Sequence, residues 1–478
     1  MGETGLRIVL ILLALVLLTS CMPGERKRIA DYRTIGELHV ATRMDAISYV
    51  QGDNGQASGF EHDLVQELGR ELGVPVRFVV YPDAMRAIDA VLRGEVHLAA
   101  AALARNDRLP LHWSAPLRKL DFVLAGRRGT PTISEEKDLA GRTIAVRRGS
   151  VAASRITDLQ RRVPGLKAHY PLRRTDQILL AQLADDQHDL VATDRAHFAL
   201  AAQIHPDLEI KYEWSSHSEI AWAMPIATDG NLATRIEQFL ERAMSSELIT
   251  RIADRHFLHV HRITRADTTA FLKRIDERLP TYRGFFHEAQ VETGIDWRYL
   301  AALAYQESHW DPLARSRTGV RGMMMLTAET ADRLGVANRL DARESILGGA
   351  RYLAMLRDSL PDEISEPDRT WLATAAYNLG MGHLNGGRAI ARSLNKDDTS
   401  WWDMKAVLPL LARPEYAARL KAGRARGGEA VIMTENIRNY YGILTRIEPA
   451  HVPPLRRGGI KLAVETDEAP KALSVQAR

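Results

Sequence analysis

The pattern of apolar residues changes once along this chain, and the change lies near residues 263–268. Before it, short β-rich runs alternate with helical repeats, and after it, from 269 to about 444, the pattern is almost entirely helical. Alternating strands and helices predict a parallel or mixed sheet covered by helices, whereas an uninterrupted helical pattern predicts an all-α unit. A chain of 478 residues is also longer than one hydrophobic core usually serves. The sequence therefore predicts a multidomain protein.

The front region itself divides into two α/β sections, which predicts a bilobal unit. The first section has strand-like runs at 38–41, 76–80 and 96–98 and helical runs at 60–72 and 84–92. A second section begins near Gly141, with strand-like runs at 143–146 and 189–194. The predicted boundaries are 36–262 for the α/β domain, 269–450 for the all-α domain and 451–478 for a flexible tail.

The N-terminus has the pattern of a bacterial lipoprotein signal. Arg7 precedes an apolar run at 8–18, which is too short to span a bilayer, and Leu18-Thr19-Ser20-Cys21 resembles a lipobox. The resemblance implies that residues 1–21 are a signal, that Cys21 is lipidated and that 22–35 form a tether. Met22 in place of aspartate implies the periplasmic face of the outer membrane. An uncleaved anchor, or an incidental cysteine, is the alternative.

Charge and cysteine content exclude some classes of protein. Cys21 is the only cysteine, so no internal disulfide can stabilise the fold. The net charge of +4 is spread along the chain and accompanies no nucleic-acid-binding motif, so nucleic acid is not an expected partner.

The front region resembles the bilobal solute-binding proteins that serve amino-acid transporters. Its signature is Gly59-Phe60-Glu61-His62-Asp63-Leu64. The resemblance implies that Arg108 clamps a ligand carboxylate and that Asp194 holds its ammonium group. Backbone N–H groups at the predicted helix start at Ser150 are further candidates to bind the carboxylate, and Tyr49 is a candidate to stack on the ligand. Together they predict a regulatory site for an amino acid or muropeptide. Leu103 stands where the family usually has a hydroxyl residue. The alternative is that Arg108 and Asp194 are surface charges.

One carboxylate in the helical region has the setting of a catalytic acid. Asp296 is a good N-cap, and Leu300, Leu303, Ala304 and Glu307 then lie on one face of the predicted helix. A glutamate at the end of an apolar stripe is desolvated, which raises its pKa toward the range of a general acid. The alternative is that Glu307 is an ordinary helix-end glutamate whose side chain extends into solvent.

Three motifs around Glu307 resemble the soluble-type lytic transglycosylases, which have a goose-lysozyme-like helical fold. They are Glu307-Ser308-His309-Trp310-Asp311-Pro312, Gly322-Met323-Met324-Met325-Leu326 and Ala376-Tyr377-Asn378. The resemblance covers about 269–450. The Gly-Met-Met-Met-Leu variant and the front domain together resemble the membrane-bound lytic murein transglycosylase F type, and this resemblance covers nearly the whole mature chain.

This resemblance implies that the chain cuts peptidoglycan glycan strands non-hydrolytically, with Glu307 as the single acid and base. It further implies that Ser308 orients Glu307, that Tyr377 and Asn378 hold the sugar, and that backbone groups of Met324 and Met325 line the cleft. No metal or organic cofactor is implied. Core packing is an equally open interpretation for Tyr377 and the methionines.

Two departures from the family pattern bear on the site. Met325 stands where glutamine is usual, and the tyrosine often assigned to the active site is missing near the C-terminus, where Tyr440 or Tyr441 is a candidate substitute. Two other functions remain open from the sequence. They are a lysozyme-like hydrolase and an amino-acid-binding protein with an inactive helical appendage.

Overall fold

The computed structural model describes residues 28–52, 55–226, 228, 230–261, 263–421 and 423–452. The predicted signal at 1–21, with Cys21, lies outside the described residues, as do the first part of the tether and all but two residues of the predicted tail. Within the described ranges, no helix is both long enough and apolar enough to span a bilayer.

The front domain is built on two five-stranded mixed sheets, one for each lobe. The first has the order β4-β1-β5-β12-β6, in which β1 runs parallel to β4 and β5 while β12 is antiparallel to β5 and β6. Its strands are β1 Leu38–Arg43, β4 Val76–Tyr81, β5 Leu98–Ala99, β6 Leu111–Trp113 and β12 Ala223–Pro225. A small hairpin of β2 Val50–Gln51 and β3 Ala57–Ser58 extends from this lobe.

The second sheet has the order β11-β7-β10-β8-β9, and the chain enters and leaves this lobe through β7 and β11, which pair antiparallel. Its strands are β7 Arg118–Arg127, β8 Thr143–Val146, β9 Lys167–His169, β10 Leu190–Asp194 and β11 Leu208–Ile220. Because β12 returns to the first sheet, two crossings join the lobes. This is the bilobal arrangement predicted from the two α/β sections.

Helices cover both sheets, and each sheet has a hydrophobic core on either face. The helices of the front domain are α1 Tyr32–Ile35, α2 Phe60–Leu72, α3 Ala84–Leu92, α4 Val151–Gln160, α5 Asp176–Ala184, α6 Arg195–Ala202, α7 Gly230–Ser245 and α8 Leu248–His256, with 3-10 turns at Glu136–Leu139 and Leu258–His261.

The rear domain is all helical, as its sequence pattern predicts, and one continuous core holds it together. Its helices are α9 Arg265–Glu277, α10 Leu279–Thr293, α11 Trp297–Ser308, α12 Ala328–Arg333, α13 Ala342–Asp358, α14 Asp368–Leu379, α15 Met381–Ser393, α16 Trp401–Val407, α17 Pro414–Ala417 and α18 Gly427–Ile447, with a 3-10 turn at Leu408–Ala412. The central helix α11 packs against α10 and α18.

Several helix boundaries follow from local signals. The helix α2 begins at Phe60, whose neighbour Gly59 has a φ of 131°, and ends at Gly73 in the left-handed region, as the glycine predicted. A Cβ at Gly59 would lie 2.5 Å from the carbonyl oxygen of Ser48, so only glycine fits there. The side chain of Asp296 accepts from the N–H of Arg298 and so caps α11, also as predicted.

The predicted tether at 22–35 is too long, because its last part belongs to the front domain. Tyr32 is 1% exposed and packs in the core of the first lobe, on the short helix α1. The N–H of Ile29 donates to the carbonyl of Gly94 at 2.8 Å. The sequence of this segment is mostly polar, so it gave no sign of a helix. One buried aromatic residue nevertheless anchors the four-residue helix to the first lobe.

The two domains share a polar interface centred on α8 and α18. Asp254 accepts from Arg438 at 3.1 Å and from Lys405 at 2.7 Å, and the side-chain amide of Gln203 donates to Asn439 at 2.8 Å. Asp254, Arg438 and Asn439 are buried, so these bonds are shielded from solvent. The front domain is therefore attached to the helix that packs directly against α11.

Candidate active site

Glu307 lies in the last turn of α11, where the helix emerges from the core. Leu300, Leu303 and Ala304 on the same face are fully buried, and Glu307 itself is only partly exposed. Burial raises the pKa of the Glu307 carboxyl from 4.5 to about 8, and no charged neighbour among the described residues offsets this. A carboxyl group with this pKa holds its proton at neutral pH, as a general acid must.

The chain turns sharply after Glu307, and the turn fixes where the helix ends. His309 and Trp310 both have positive φ, at 53° and 56°. The indole N–H of Trp310 donates to the carbonyl of Ala301 at 2.8 Å, and the ring is fully buried. Because Trp310 folds back onto α11, the last turn with Glu307 is held at the rim of the core.

Ser308 connects the end of α11 to the Gly-Met-Met-Met-Leu loop. Its hydroxyl lies 2.8 Å from the carbonyl of Met323 and 3.1 Å from that of Ala304, and it accepts from the N–H of Asp311 at 3.2 Å. These bonds are to backbone groups and not to the carboxylate of Glu307. The role in orienting Glu307 that the family resemblance implied for Ser308 stays a prediction, and the bonds of Ser308 attach the loop to the end of the helix.

The loop at 322–326 approaches α13 so closely that small residues are required on both sides. Gly322 has a φ of 84°, and a Cβ there would lie 1.7 Å from the carbonyl oxygen of Arg339. A Cβ on Gly349 would lie 2.6 Å from the side chain of Met324. The side chain of Met324 is therefore a core residue, whereas Met325 is partly exposed, with a φ of 47°.

Both backbone groups of Met324 have partners within the protein. Its N–H donates to the hydroxyl of Ser345 at 3.1 Å, and its carbonyl accepts from the hydroxyl of Tyr377 at 2.8 Å. A sugar bound through these groups would have to compete with these bonds, so the substrate role of Met324 stays a prediction. Neither Ser345 nor its role was expected from the sequence, although the adjacent pair Gly348-Gly349 within a helix was a sign of close approach.

Tyr377 places its ring beside Glu307. Burial, and next the charge of the Glu307 carboxylate, raise the pKa of the Tyr377 hydroxyl well above its ordinary value. Its ring packs on that of Tyr352 with centroids 5.1 Å apart. Asn378 follows it in the last turn of α14 and is exposed, as a sugar-binding amide must be. The structure thus brings Glu307, the methionine loop, Tyr377 and Asn378 to one region.

The two candidates for the missing tyrosine lie at different places along α11. The ring of Tyr440 packs between Phe271 and Tyr305, at centroid distances of 4.5 and 4.8 Å. The hydroxyl of Tyr441 donates to Asp296 at 3.1 Å, at the opposite end of α11 from Glu307. The expectation that Tyr441 substitutes is wrong, because the period of α18 directs its ring to the start of α11. Tyr440 packs against Tyr305, two residues before Glu307, and its role stays a prediction.

Comparison with known proteins agrees with these motifs. Residues 284–400 match the family model of the transglycosylase SLT domain, and residues 38–259 match that of bacterial extracellular solute-binding proteins, family 3. A membrane-bound lytic murein transglycosylase F of Methylobacillus flagellatus is 40% identical over 94% of this chain and 96% of its own length. One of Thiobacillus denitrificans is 42% identical over 89% of this chain and 91% of its length. The chain belongs to the membrane-bound lytic murein transglycosylase F family.

Among solved structures, an ancestral arginine-binding protein bound to arginine overlaps with 46% of this chain and 98% of its own, at 21% identity and a TM-score of 0.42. The front domain of this transglycosylase F family member has the solute-binding fold, as its family model indicates. Its interlobe cleft therefore has to be described from its own residues.

A buried charge network crosses this cleft. The guanidinium of Arg147, from the second lobe, donates to Asp45 of the first lobe at 2.8 Å, to Asp176 at 3.2 Å and to the carbonyl of Met44 at 2.8 Å. His197 lies 3.1 Å from the same Asp45 carboxylate. The two lobes are therefore joined by the protein's own side chains. Asp45, Asp176 and His197 converge as metal ligands would, but the Arg147 cation already bridges both carboxylates.

The charges in this network support one another. Burial alone would raise the pKa of Asp45, but His197, Arg43 and Arg147 outweigh it and hold that pKa well below its ordinary value. Burial would likewise lower the pKa of His197, but Asp194 and Asp45 raise it well above its ordinary value. The network thus places carboxylates and basic groups in contact inside the closed cleft.

The structure does not bring Arg108 and Asp194 into contact. Arg108 is exposed, on a turn in which its N–H donates to the side chain of Asn106 at 3.1 Å. Asp194 is buried and caps α6, accepting from the backbone of Ala196 and His197 and lying 2.5 Å from the His197 ring. Asp194 is thus no surface charge, and a ligand ammonium would have to displace His197 from it.

Of the other two predicted ligand residues, Ser150 lines a cavity between the lobes and Tyr49 does not. The ring of Tyr49 is buried against Phe78, with centroids 5.2 Å apart, so it packs within the first lobe. Ser150 caps α4 through the N–H of Ala153 and lines a cavity of about 440 Å³ that also contacts Met85 of the first lobe. The helix start at Ser150 therefore does face a space between the lobes, whereas Tyr49 does not line that cavity.

Proposed function

We propose that this chain cleaves the bond between N-acetylmuramic acid and N-acetylglucosamine in peptidoglycan without water, with Glu307 as the only acid and base. The observation that supports the proposal most directly is the isolated, half-buried Glu307 carboxyl, whose pKa is raised to about 8. Most glycosidases need a second carboxylate to act as nucleophile or to activate water. Asp311, the nearest acid in sequence, instead caps a turn by accepting from the N–H of Leu313 at 2.9 Å.

The first step is protonation of the leaving group. The Glu307 carboxyl donates its proton to the glycosidic oxygen, the bond from that oxygen to C1 of the muramic sugar breaks, and the N-acetylglucosamine end leaves as an alcohol. The positive charge at C1 is stabilised by the acetamido group of the same sugar. Tyr377, whose hydroxyl pKa is raised in part by the Glu307 charge, and the adjacent exposed Asn378 are the residues proposed to hold the sugar.

The second step returns the proton. The Glu307 carboxylate removes the proton from the 6-hydroxyl of the muramic sugar, and that oxygen bonds to C1. The product is a 1,6-anhydromuramyl end, and Glu307 is again protonated. Its low-polarity setting favours both steps, because a carboxylate that is poorly solvated is a stronger base.

The mass of the product distinguishes this reaction from hydrolysis. We expect isolated sacculi digested with the protein to release muropeptides lighter by one water than those from a lysozyme-like hydrolase, read by mass spectrometry. A parallel digest with a hydrolysing lysozyme provides the reference masses. Products that carry the full water mass would assign this chain to the hydrolase alternative.

We also propose that the front domain binds an amino acid or a muropeptide and regulates turnover. The exposed side chain of Arg108 supports this proposal. Its guanidinium takes no part in the charge network that joins the lobes, so it is available to a ligand carboxylate. The ligand's ammonium group would compete with His197 for Asp194. Any amino acid that changes the rate of sacculus digestion by the wild type is expected to have no effect on Arg108→Ala. The exposed Arg128→Ala is the control, and an effect that persists in Arg108→Ala contradicts the assignment.

We propose, finally, that Cys21 is lipidated and holds the protein at the periplasmic face of the outer membrane. The lipobox pattern and the names of the membrane-bound relatives support this. The change Cys21→Ala is expected to move the protein from the membrane fraction to the soluble periplasmic fraction, as detected by immunoblotting. A Ser20→Ala variant, which keeps the thiol, is the control. Continued sedimentation of Cys21→Ala with outer membranes would argue against lipidation.

A further inference from the structure

A cavity of about 920 Å³ lies between the front domain and the helical domain. The front domain contributes residues of α8 and of the β2–β3 hairpin, and the helical domain contributes residues of α11, α14 and α18. Cavities of about 300–1,000 Å³ are the size that small-molecule ligands occupy. This space is distinct from the interlobe cleft, because Arg147 and Asp194 do not line it, and it is distinct from the region around Glu307.

The cavity lies at the opposite end of the two helices that carry the active site. Tyr299, in the first turn of α11, lines it, and Glu307 follows eight residues later, about 12 Å along the helix. Trp371, near the start of α14, also lines it, and Tyr377 follows six residues later, about 9 Å along. A ligand in the cavity would therefore contact both helices at their beginnings.

Five arginines line the cavity, and four of them have a carboxylate partner. Arg255 pairs with Asp63 and Asp368, Arg298 with Asp296, Arg357 with Asp358, and Arg438 with Asp254 and Glu435. The fifth, Arg446, is bonded to neutral oxygens only. They are the carbonyls of Leu200 and Gly442 and the side-chain amide of Gln203.

Arg446 is consequently a partly exposed cation without a carboxylate partner among the residues described. Burial lowers the pKa of its guanidinium to about 10, and no carboxylate raises it again. Placing a charge in such a setting is costly unless an opposite charge accompanies it. Arg438, by contrast, already has Asp254 and Glu435 as counter-ions. The charge that lacks a partner at this cavity is therefore that of Arg446, and an anion in the cavity would supply it.

We propose that this interdomain cavity is a binding site for a small carboxylate-bearing ligand, whose carboxylate pairs with Arg446 while its body fills the space beside Tyr299 and Trp371. A planar carboxylate matches the fork of a guanidinium, and the aromatic rings accommodate an apolar body. Such a ligand contacts the front domain and the two catalytic helices together, and so links the state of one domain to the other.

The test uses the full-length protein and measures binding by calorimetry, with glutarate and citrate as probes and inorganic phosphate as a second kind of anion. We expect saturable binding of at least one carboxylate to the wild type. Arg446→Gln should weaken it tenfold or more. Thr445→Phe, which keeps Arg446 but fills part of the cavity, should weaken it similarly.

Two comparisons show whether a loss of carboxylate binding is specific to the cavity. Arg161→Gln removes an exposed cation far from the cavity and should bind the probes as the wild type does. Thr445→Phe keeps the Arg446 side chain, and an unchanged thermal unfolding midpoint is expected to show that its loss of binding does not result from a loosened interface. The absence of saturable carboxylate binding, unchanged binding by either cavity variant, or phosphate binding as tight as that of citrate would each overturn the proposal. The measurement involves no glycan cleavage, so it is independent of the catalytic assignment.

Discussion

Replacing Glu307 by glutamine is expected to reduce the rate of anhydromuramyl release by roughly 10³-fold, within the range that general acid–base catalysis contributes. Glutamine has nearly the same shape but neither donates a proton to the glycosidic oxygen nor accepts one from the 6-hydroxyl. Because one carboxyl serves both steps, no other acid compensates. Mass spectrometry of timed sacculus digests measures the effect.

The matched control is Asp311→Asn, which removes the nearest acid in sequence, four residues after Glu307. We expect it to retain most of the wild-type rate, since Asp311 caps a turn. A Glu307→Gln protein that releases anhydro products at the wild-type rate would refute the single-carboxyl mechanism. A large loss in Asp311→Asn, with a fold unchanged by circular dichroism, would instead indicate a second catalytic carboxyl group.

The pH dependence follows from the same pKa. Turnover requires protonated Glu307, so the rate is expected to fall as pH rises through about 8. The pKa is higher in the folded protein than in the unfolded chain, where it is near 4.5, so ionisation opposes folding. This cost is absent below about pH 4.5, grows up to about pH 8 and then stays constant. Glu307→Gln should therefore be more stable than the wild type at pH 8 but equally stable at pH 4.

Replacing Arg147 by methionine is expected to destabilise the front domain by about 3–5 kcal/mol, the usual result of removing one partner from a buried ion pair. The Asp45 and Asp176 side chains are 0% and 7% exposed, and Arg147 bridges both of them across the cleft. Without the guanidinium, either water enters and the lobes separate, or a carboxyl group takes up a proton. Urea unfolding, with hydrogen exchange to locate the affected peptides, measures the change.

Arg142→Met provides the matched control, since it removes an ion pair with Asp189 at the surface of the same lobe. Exposed pairs contribute at most about 1 kcal/mol, so this variant should be close to the wild type. Equal effects of the two substitutions would show that the network contributes no more than a surface pair. Full recovery in Arg147→Met combined with Asp45→Asn would show that the loss comes from the Asp45 charge, which Arg43 and His197 alone then fail to balance.

The sequence predicted the architecture and the catalytic helix because both depend on local signals. The bounds of α2 and the start of α11 follow from an apolar period, a C-terminal glycine and an N-capping aspartate, each of which acts within a few residues. The position of Glu307 at the end of a buried apolar stripe could also be predicted, because the helix period alone determines which residues share a face.

The hydrogen-bond and packing partners of these residues could not be predicted from the sequence, because most of them come from distant parts of the chain. Ser308 bonds to the methionine loop, Tyr377 bonds to Met324 from 53 residues away, and Tyr440 packs against α9. In the front domain, Arg147 reaches Asp45 from 102 residues away. Asp194 is the exception, because its partner His197 lies only one turn later, although the family pattern implied a ligand there.

What the sequence alone determined is therefore the order of the two domains, the helices and strands within them, and the one carboxyl group placed to handle protons. The tertiary structure decided which polar groups remain available to a ligand. Hydrogen bonds and charge pairs form between elements that packing brings together. The burial that raises the pKa of Glu307 exists only in the folded chain, as does the environment in which Arg446 has no carboxylate partner among the described residues.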